Sequence, residues 1–278
     1  MVVVRRWDTG AFILEREGTS LSRAALAQAV MPYADLAGAD LSWAELQGAD
    51  LCLSDLRGAS FANASAVRAD ITLANLSGAS FRQASLGDAR LQAINLATSG
   101  PAGTDFSDAD LTRVVLKNSN LVGARFVNAN CHRVDFSRCN LREADFTGAD
   151  LAGADLSFAD LRGARLAHAS LVGTLLNGTT LGGAILAHAD LSLASFNGAV
   201  LDDAEFTDAL WSGTVFARCK GLHRARGLET VRTLTPSTAD LPSVREGLHS
   251  LSVDVLMRLG YAGAELQALL TALPPTRA

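Results

Sequence analysis

The chain has 278 residues, of which 49% are hydrophobic but only 6% aromatic and 19% charged. A core with so many small apolar side chains is thin and regular, which disfavours an ordinary globular domain with large residues at its centre. The formal charge of −5 at pH 7 argues against direct binding to a nucleic-acid backbone, which requires clustered basic residues.

Membrane insertion and export are also disfavoured. No apolar stretch approaches the roughly 18 residues that a membrane-spanning helix needs. The opening residues, MVVVRRW, lack the apolar run and the cleavage site of a signal peptide. We therefore expect a cytoplasmic protein without a membrane partner, whose cysteines are reduced.

Residues 2–17 have the pattern of a short β-hairpin. Two apolar runs, Val2–Val4 and Ala11–Leu14, flank the turn sequence Asp8–Gly10. Apolar runs on both sides of a glycine-containing turn are typical of two antiparallel strands.

The next residues predict a helix. The Thr19-Ser20 pair resembles an N-cap for a helix from Leu21 to Val30, which is rich in Ala, Leu, Arg and Gln. Because the end of a solenoid needs a lid over its last apolar layer, residues 1–33 are interpreted as an N-terminal hairpin and capping helix. Leu21 and Leu26 also fall in the repeat phase described next, so one more half-coil is the alternative.

A period of five residues dominates the chain from Leu36 to Phe216. Every fifth residue there is a large apolar one, except Ala66, Pro101 and Cys131. A small residue stands two places before most of these positions, and Asp, Asn or Ser often stands one place before; Gly commonly follows two places after. A period of five matches neither a helix nor a plain strand.

A five-residue unit with two inward positions turns a corner each time, so four units close a square coil. Stacked coils would pair their backbones about 4.8 Å apart and fill the interior with ladders of Leu and Phe. Residues 34–218 are therefore predicted to form an all-β solenoid, a quadrilateral parallel β-helix of about nine coils. The predicted core residues include Leu36, Leu56, Leu76, Phe136, Leu151 and Leu156.

Runs such as Ala34–Gly38 and Ala149–Gly153, both ADLAG, resemble the A(D/N)LxG signature of the pentapeptide-repeat family. The resemblance covers about two-thirds of the chain and implies the right-handed form of the β-helix. The quinolone-resistance members of this family are similar to short B-DNA in width and charge. They bind type II topoisomerases and protect them from inhibitors. The resemblance therefore implies a protein partner, with DNA gyrase and topoisomerase IV as the candidates.

The motif is interrupted at Thr98–Gly103 without a change in the five-residue phase. Pro101 cannot donate to a backbone ladder, so a bulge or a small turn is expected near the middle of the rod. Because the phase does not slip, no projecting loop is predicted.

The repeat stops after Phe216. Residues 219–240 are polar and basic and are interpreted as a linker. In residues 241–278 apolar side chains recur at helical spacing, which predicts one helix ended by Gly260 and a second helix after it. This C-terminal segment either caps the last coil or pairs with a second copy of the chain.

Quinolone-resistance members of the family dimerise through a C-terminal helical element, so the resemblance implies a homodimer here. The side chains expected at that interface are Leu248, Leu251, Val255, Leu259, Leu266 and Leu270.

No motif for catalysis is present. The sequence lacks a nucleophile elbow, a P-loop and an HExxH zinc motif, and a filled β-helix offers no obvious cleft, so neither an enzyme nor a cofactor is expected. His168 and His188 are separated by four repeat units, the length of one coil, and should stack as a solvated ladder, with Asp190 the nearest candidate for a further metal ligand. Cys131 and Cys139 occupy inward positions and are interpreted as core residues.

The residue before each in-phase Leu or Phe is often acidic, and residues separated by four repeat units should lie over one another. Columns of this kind would form lines of negative potential that stand in for DNA phosphates in a basic groove. The alternative is that each Asp only serves the turn of its own repeat. The residues proposed to bind the partner are Asp35 over Asp55, Asp50 over Asp70, Asp135 over Asp155, and Asp150.

Between the acidic columns lies a band of basic residues, comprising Arg113, Lys117, Arg125, Arg133, Arg138 and Arg142. Two functions follow as hypotheses: a DNA mimic that binds DNA gyrase and protects it from inhibitors, or a general scaffold, adaptor or effector module that binds other proteins.

Overall fold

Backbone pairing between coils organises most of the chain. The computed structural model describes residues 1–92, 104–245 and 248–271. Within the stack, the N–H of Asp50 donates to the carbonyl of Ala29 in the coil before it at 2.9 Å, and the N–H of Leu51 donates to the carbonyl of Asp70 in the coil after it at 2.7 Å. The same parallel pairing recurs on all four sides, and most pairing residues are separated by four repeat units.

The inward positions form a continuous core. Phe61, Phe81, Phe106, Phe126 and Phe146 stack along one side of the interior, with successive ring centroids 4.5 to 5.1 Å apart. Small residues share that space, and several of them donate a side-chain hydrogen bond to a carbonyl of the preceding coil, as Thr174 does to Leu151. The structure buries all six predicted core residues, Leu36, Leu56, Leu76, Phe136, Leu151 and Leu156.

The N-terminal hairpin consists of β1 (Val2–Arg5) and β2 (Phe12–Arg16), paired antiparallel as the sequence predicts. It covers the open edge of the first coil, because the N–H of Asp35 donates to the carbonyl of Arg5 at 2.8 Å. An unpaired edge would otherwise be free to pair with another chain.

The capping helix predicted for residues 21–30 is wrong. Leu21, Leu26 and Met31 are buried at the inward positions of a coil, and the N–H of Leu26 donates to the carbonyl of Glu45 at 2.7 Å. Helix propensity is a weak preference, whereas the neighbouring coil offers a complete row of hydrogen-bonding partners. The β-helix therefore begins near residue 21 and not at residue 34.

One coil is longer than its neighbours. Ser60 pairs with Ser80, 20 residues later, but Ser80 pairs with Asp105, 25 residues later, so this step of the ladder contains five more residues than its neighbours. Five added residues keep the five-residue phase of the sequence and still change which residues lie over one another. The expectation that no loop projects here concerns residues outside the described part of the chain. The predicted interruption at Pro101 lies outside the described residues.

Residues 219–240 are not a linker. Lys220, Arg226 and Arg232 pair in parallel with residues of the preceding coil, and β3 (Val215–Phe216) pairs with β4 (Thr238–Ala239). The units here are six residues long, which hides them from a five-residue search. Their buried side chains are supplied by two short 3₁₀-helices, Leu222–Arg224 and Leu228–Thr230, and by Val231.

Three helices close the C-terminal end: α1 (Leu241–Arg245), α2 (Val253–Arg258) and α3 (Gly263–Thr271), with the 3₁₀-helix Leu248–Ser250 between α1 and α2. Gly260, at φ +89°, follows α2 as the sequence predicts. None of the helices in the described part of the chain has the length and hydrophobicity that crossing a membrane requires.

The side chains expected at a dimer interface serve this cap instead. Leu248, Leu251, Val255 and Leu259 are at most 9% exposed and belong to the chain's own core, and Leu266 and Leu270 pack against it. The apolar stripe is therefore not free to hold a second copy. Its hydrophobic residues cover the last coil, whose aromatic layer would otherwise meet water.

We expect Phe136→Asp to lower the free energy of unfolding by more than about 4 kcal/mol, because it buries an unpaired charge. The Phe136 ring stands edge-on between those of Phe126 and Phe146, at 5.4 and 5.6 Å. Urea unfolding measures the change. The control is Asp155→Asn, since Asn75 makes the same turn hydrogen bond; it should stay within about 0.5 kcal/mol of the parent. Equal effects would refute the inward assignment.

Candidate protein-interaction surface

The acidic residues of the repeat first serve their own turns. The Asp50 carboxylate accepts the backbone N–H of Cys52 at 3.0 Å, and Asp135, Asp150 and Asp155 each accept an N–H two residues later at 2.9 Å. This Asx-turn explains why Asp and Asn recur at this position. One carboxylate oxygen is used in this way, and the negative charge still lies at the surface.

Two neighbouring sides of the rod carry the three predicted acidic pairs, whereas Asp150 lies apart from them on a third side, where it pairs with Asn130 and Ser170. We call the two neighbouring sides the Asp50 face (Val30, Asp50, Asp70, Arg90, Val115, Asp135, Asp155, Leu175, Ser195 and Val215) and the Asp55 face (Asp35, Asp55, Asn75, Asn120, Asn140, Asp160, Thr180, Val200 and Lys220). The predicted pairs Asp35 over Asp55, Asp50 over Asp70 and Asp135 over Asp155 do stack. The 25-residue spacing between Arg90 and Val115 places Asp135 and Asp155 on the Asp50 face, although a uniform 20-residue spacing would put them below Asp55.

The columns are not continuous lines of charge. On the Asp50 face, Arg90 follows Asp70 at an N–O distance of 3.7 Å, and Val115 follows Arg90. On the Asp55 face, Arg57 holds Asp55 at 2.6 Å, and hydrogen bonding to that guanidinium lowers the pKa of the Asp55 carboxyl. The prediction of regular lines of negative potential along the rod is therefore wrong: the acidic residues occur as short pairs.

The predicted basic band does not form one patch. Arg125 pairs with Asp105 and Asp145 on one side of the rod, whereas Arg138 belongs to another part of the surface, where its guanidinium lies 5.2 Å from the ring centroid of Phe158. Arg113 lies 3.8 Å from Asp88. The six residues surround the rod because successive five-residue units face successive sides.

The corner between the two faces carries large apolar side chains. We call it the Leu53 corner; its residues all have positive φ and are Tyr33, Leu53, Leu73, Asn118, Arg138, Phe158, Gly178, Gly198 and Arg218. Glycine is the usual residue in this left-handed conformation, which costs other residues roughly 1–2 kcal/mol. Leu73 and Phe158 accept that strain and are also 54% and 61% exposed.

The N-terminal hairpin extends this apolar corner. The indole N–H of Trp7 donates to the carbonyl of Leu53 at 2.7 Å, and its ring lies 6.2 Å from that of Tyr33. The Arg6 guanidinium lies 4.2 Å from the Tyr33 ring centroid. Trp7 is 53% exposed although its indole N–H is satisfied. A groove of about 290 Å³ lies beside it, lined by Trp7, Leu53, Ser54, Asp55, Arg57, Leu73 and Asn75.

This surface combines apolar and acidic residues. In the first coils the Leu53 corner stands between Asp50 and Asp70 on one side and Asp35 and Asp55 on the other. The repeat pattern predicted the acidic residues of this surface but not its apolar residues. The sequence signal that could have indicated them is that Leu53 and Leu73 replace the Gly that commonly stands two places after the in-phase residue.

The two histidines stack as the sequence predicts. Their ring centroids are 4.8 Å apart and the planes differ by 4°. The carboxylate beside His188 belongs to Asp208, at 3.9 Å, and not to Asp190, which serves its own turn. Within the described part of the chain, no group of three or more His, Cys, Asp or Glu side chains is placed to hold a metal ion.

The inward cysteines are unreactive by position. Burial raises the pKa of the Cys131 thiol and raises the pKa of the Cys139 thiol to about 12. Cys139 donates its thiol hydrogen to the carbonyl of Leu116. Both therefore act as small core residues.

Comparison of the sequence with models of protein families matches the family of pentapeptide repeats, in eight copies, at residues 19–58, 54–92, 104–142, 129–166, 139–178 and 174–213. The chain belongs to the pentapeptide-repeat family. Its β-helix is right-handed accordingly. No curated protein matches the chain.

Solved structures of other family members are similar to this one. HetL, a pentapeptide-repeat protein involved in heterocyst differentiation regulation in the cyanobacterium Nostoc sp. strain PCC 7120, has 27% identity and a TM-score of 0.59, over 79% of this chain and 90% of HetL. QnrB1, a plasmid-mediated fluoroquinolone resistance protein, has 18% identity and a TM-score of 0.50 over 79% of this chain and 98% of its own, which shows a shared fold.

We expect Arg57→Gln to raise the pKa of Asp55 toward that of an ordinary carboxyl, because the guanidinium hydrogen bonds that lower it are lost. A lowered folded-state pKa stabilises the fold above the unfolded-state pKa of about 3.9, and that stability disappears as the pH falls through the folded-state value. Asp160, held by Arg162 in the same way, is the internal control and should keep its low pKa. NMR titration of the carboxyl carbons measures both; an unchanged Asp55 would contradict the assignment.

Proposed function

We propose that this pentapeptide-repeat protein is a non-catalytic protein-binding module, and that it binds its partner through the Leu53 corner and the acidic pairs beside it. The observation that carries the proposal is that the large apolar residues of this corner are unfavourable for folding. Leu53 and Leu73 stand in a backbone conformation that suits Gly, and Leu73 and Trp7 are more than half exposed. Residues that are unfavourable for folding in two ways at once are typical of a binding surface.

The carboxylates on both sides of the Leu53 corner indicate the charge of the partner's surface. Asp50 and Asp70 on one face and Asp35 and Asp55 on the other surround an apolar ridge, so a complementary surface has an apolar strip between basic residues. A DNA-binding saddle in a protein has basic residues of this kind, and DNA itself is not the partner of a surface with this charge.

DNA gyrase is the first candidate partner, followed by topoisomerase IV. The support is the resemblance to quinolone-resistance members of the family and the acidic pairs at the surface. In this proposal the rod occupies the DNA-binding region of the enzyme and reduces the formation of drug-stabilised cleavage complexes. The proposal places the protein in the cytoplasm, whose reducing conditions suit its four free cysteines.

A general scaffold or adaptor is the second candidate. The observation in its favour is the discontinuity of the charge: Arg90 pairs with Asp70 and Arg57 with Asp55, one carboxylate in each of two acidic pairs, so the rod as a whole is less DNA-like than a continuous polyanion. The similarity to HetL, a protein involved in regulation, also supports this candidate.

A gyrase assay separates the two candidates. Purified protein is added to DNA gyrase, plasmid DNA and a fluoroquinolone, and cleavage complexes and supercoiling are measured at increasing salt. Gyrase protection predicts fewer cleavage complexes, an effect that weakens with salt as charge-driven association does. Unchanged cleavage at micromolar protein, with no gyrase binding at low salt, would leave the adaptor as the proposal.

We expect Leu53→Asn together with Leu73→Asn to weaken partner binding by about tenfold or more, as loss of central apolar contacts does. The double variant should melt at the same temperature as the parent or higher, since Asn is well suited to positive φ. The matched control is Leu193→Asn, which makes the same change at φ +60° and 67% exposure on another corner. Equal loss of binding in the control, or full binding in the double variant, would contradict this surface.

A further inference from the structure

A second recess lies at the other end of the Leu53 corner, where the last coil meets α1. Its volume is about 540 Å³, and its lining residues are Arg218, Cys219, Lys220, Leu241, Pro242 and Arg245. We call it the C-terminal groove. Its floor is apolar, with Leu241 52% exposed, and three of its six lining residues are cations.

The cations of the C-terminal groove differ from those around them. Within the described residues, the side chains of Arg218, Lys220 and Arg245 form no ion pair, whereas nearby Arg224 pairs with Asp202 at 3.2 Å and Arg226 with Glu205 at 3.8 Å. Three exposed cations around one concavity repel one another and favour an anionic occupant.

The carboxylate of Asp240, beside this groove, already accepts hydrogen bonds from neighbouring residues. The Asp240 carboxylate accepts the backbone N–H of Arg218 at 2.9 Å and the N–H and hydroxyl of Ser243. It orders the start of α1 and, among the described residues, forms no ion pair with Arg218, Lys220 or Arg245, although its charge attracts the Arg218 guanidinium. Cys219 offers no competing chemistry, because burial raises the pKa of its thiol to about 12 and the thiol donates to the carbonyl of Phe196.

The approach to the groove along the corner is open. Gly198 precedes Arg218 by one coil, and a Cβ at Gly198 would meet no atom within 4 Å. The corner is therefore unobstructed over Gly198, one coil from the groove.

We propose that the C-terminal groove binds a short acidic peptide segment of a protein partner, with carboxylates on Arg218, Lys220 and Arg245 and an apolar side chain on Leu241 and Pro242. The charge of the lining selects the carboxylates, and the apolar floor selects a peptide over a small inorganic anion. This site goes beyond the proposed function, since it lies at the opposite end of the rod and takes the opposite charge.

Fluorescence anisotropy tests the groove with a fluorescein-labelled peptide, Glu-Glu-Leu-Glu-Glu, on the full chain. We expect saturable binding that weakens with salt, and weaker binding of Glu-Glu-Gly-Glu-Glu, which lacks the apolar side chain. The double variant Lys220→Gln, Arg245→Gln should bind the leucine-containing peptide with about tenfold lower affinity. The control double variant Arg224→Gln, Arg226→Gln changes the net charge by the same amount, and its affinity for this peptide should fall by less than threefold. Melting temperatures verify that both double variants are folded.

Three outcomes would overturn the groove: no binding at low salt, equal losses in the two double variants, or equal affinity for the leucine and glycine peptides. The last two would indicate unspecific attraction to a basic end. The Leu53→Asn, Leu73→Asn variant should bind the peptide as the parent does, so failure of the proposed function and failure of this site are distinguishable.

Discussion

The fold depends on the parallel hydrogen-bond ladder between coils. The N–H and the carbonyl of a pairing residue such as Asp50 both bond to the coil before it, through Ala29 and Met31, whereas its neighbours Ala49 and Leu51 bond to Asp70 in the coil after it. This pairing fixes the position of every inward side chain relative to the next coil, so that five phenylalanine rings stack without a break. Burial stabilises the ladder, and the ladder in turn determines which residues can be buried.

The same ladder makes the surface sensitive to coil length. Where pairing partners are 25 and not 20 residues apart, from Ser80 to Asp105, the described large apolar residues on either side remain inward, yet the following residues lie one side of the square away from where uniform spacing would place them. Asp135 and Asp155 therefore share a face with Asp50 and Asp70. Five added residues leave the described large apolar residues inward and rearrange the surface, which is a route by which a solenoid can alter its surface without altering its fold.

The two ends of the rod are closed in different ways, and each end contributes to a candidate site. At the N-terminus, the hairpin pairs with an open backbone edge and brings Trp7 beside Leu53. At the C-terminus, helices cover the last apolar layer, and the junction of α1 with the last coil forms the cationic groove. Both candidate surfaces thus lie where the repeat meets its caps, because side chains of different elements converge there.

The sequence alone determined the repeat, its inward residues and the stacking of residues one coil apart, because a strict five-residue period leaves the backbone few other ways to bury Leu36 and its successors. It also predicted the hairpin and the end of α2 at Gly260. Only the tertiary structure decided the rest. Leu21–Val30 joined the ladder and not a helix because the next coil supplied its partners, and the six-residue units after Lys220 paired despite losing the phase. The leucines predicted to form a dimer interface, such as Leu248 and Leu259, are buried in the C-terminal cap of the same chain. The exposure of Leu73 and Trp7 depends on contacts between residues far apart in the chain, which no local pattern records.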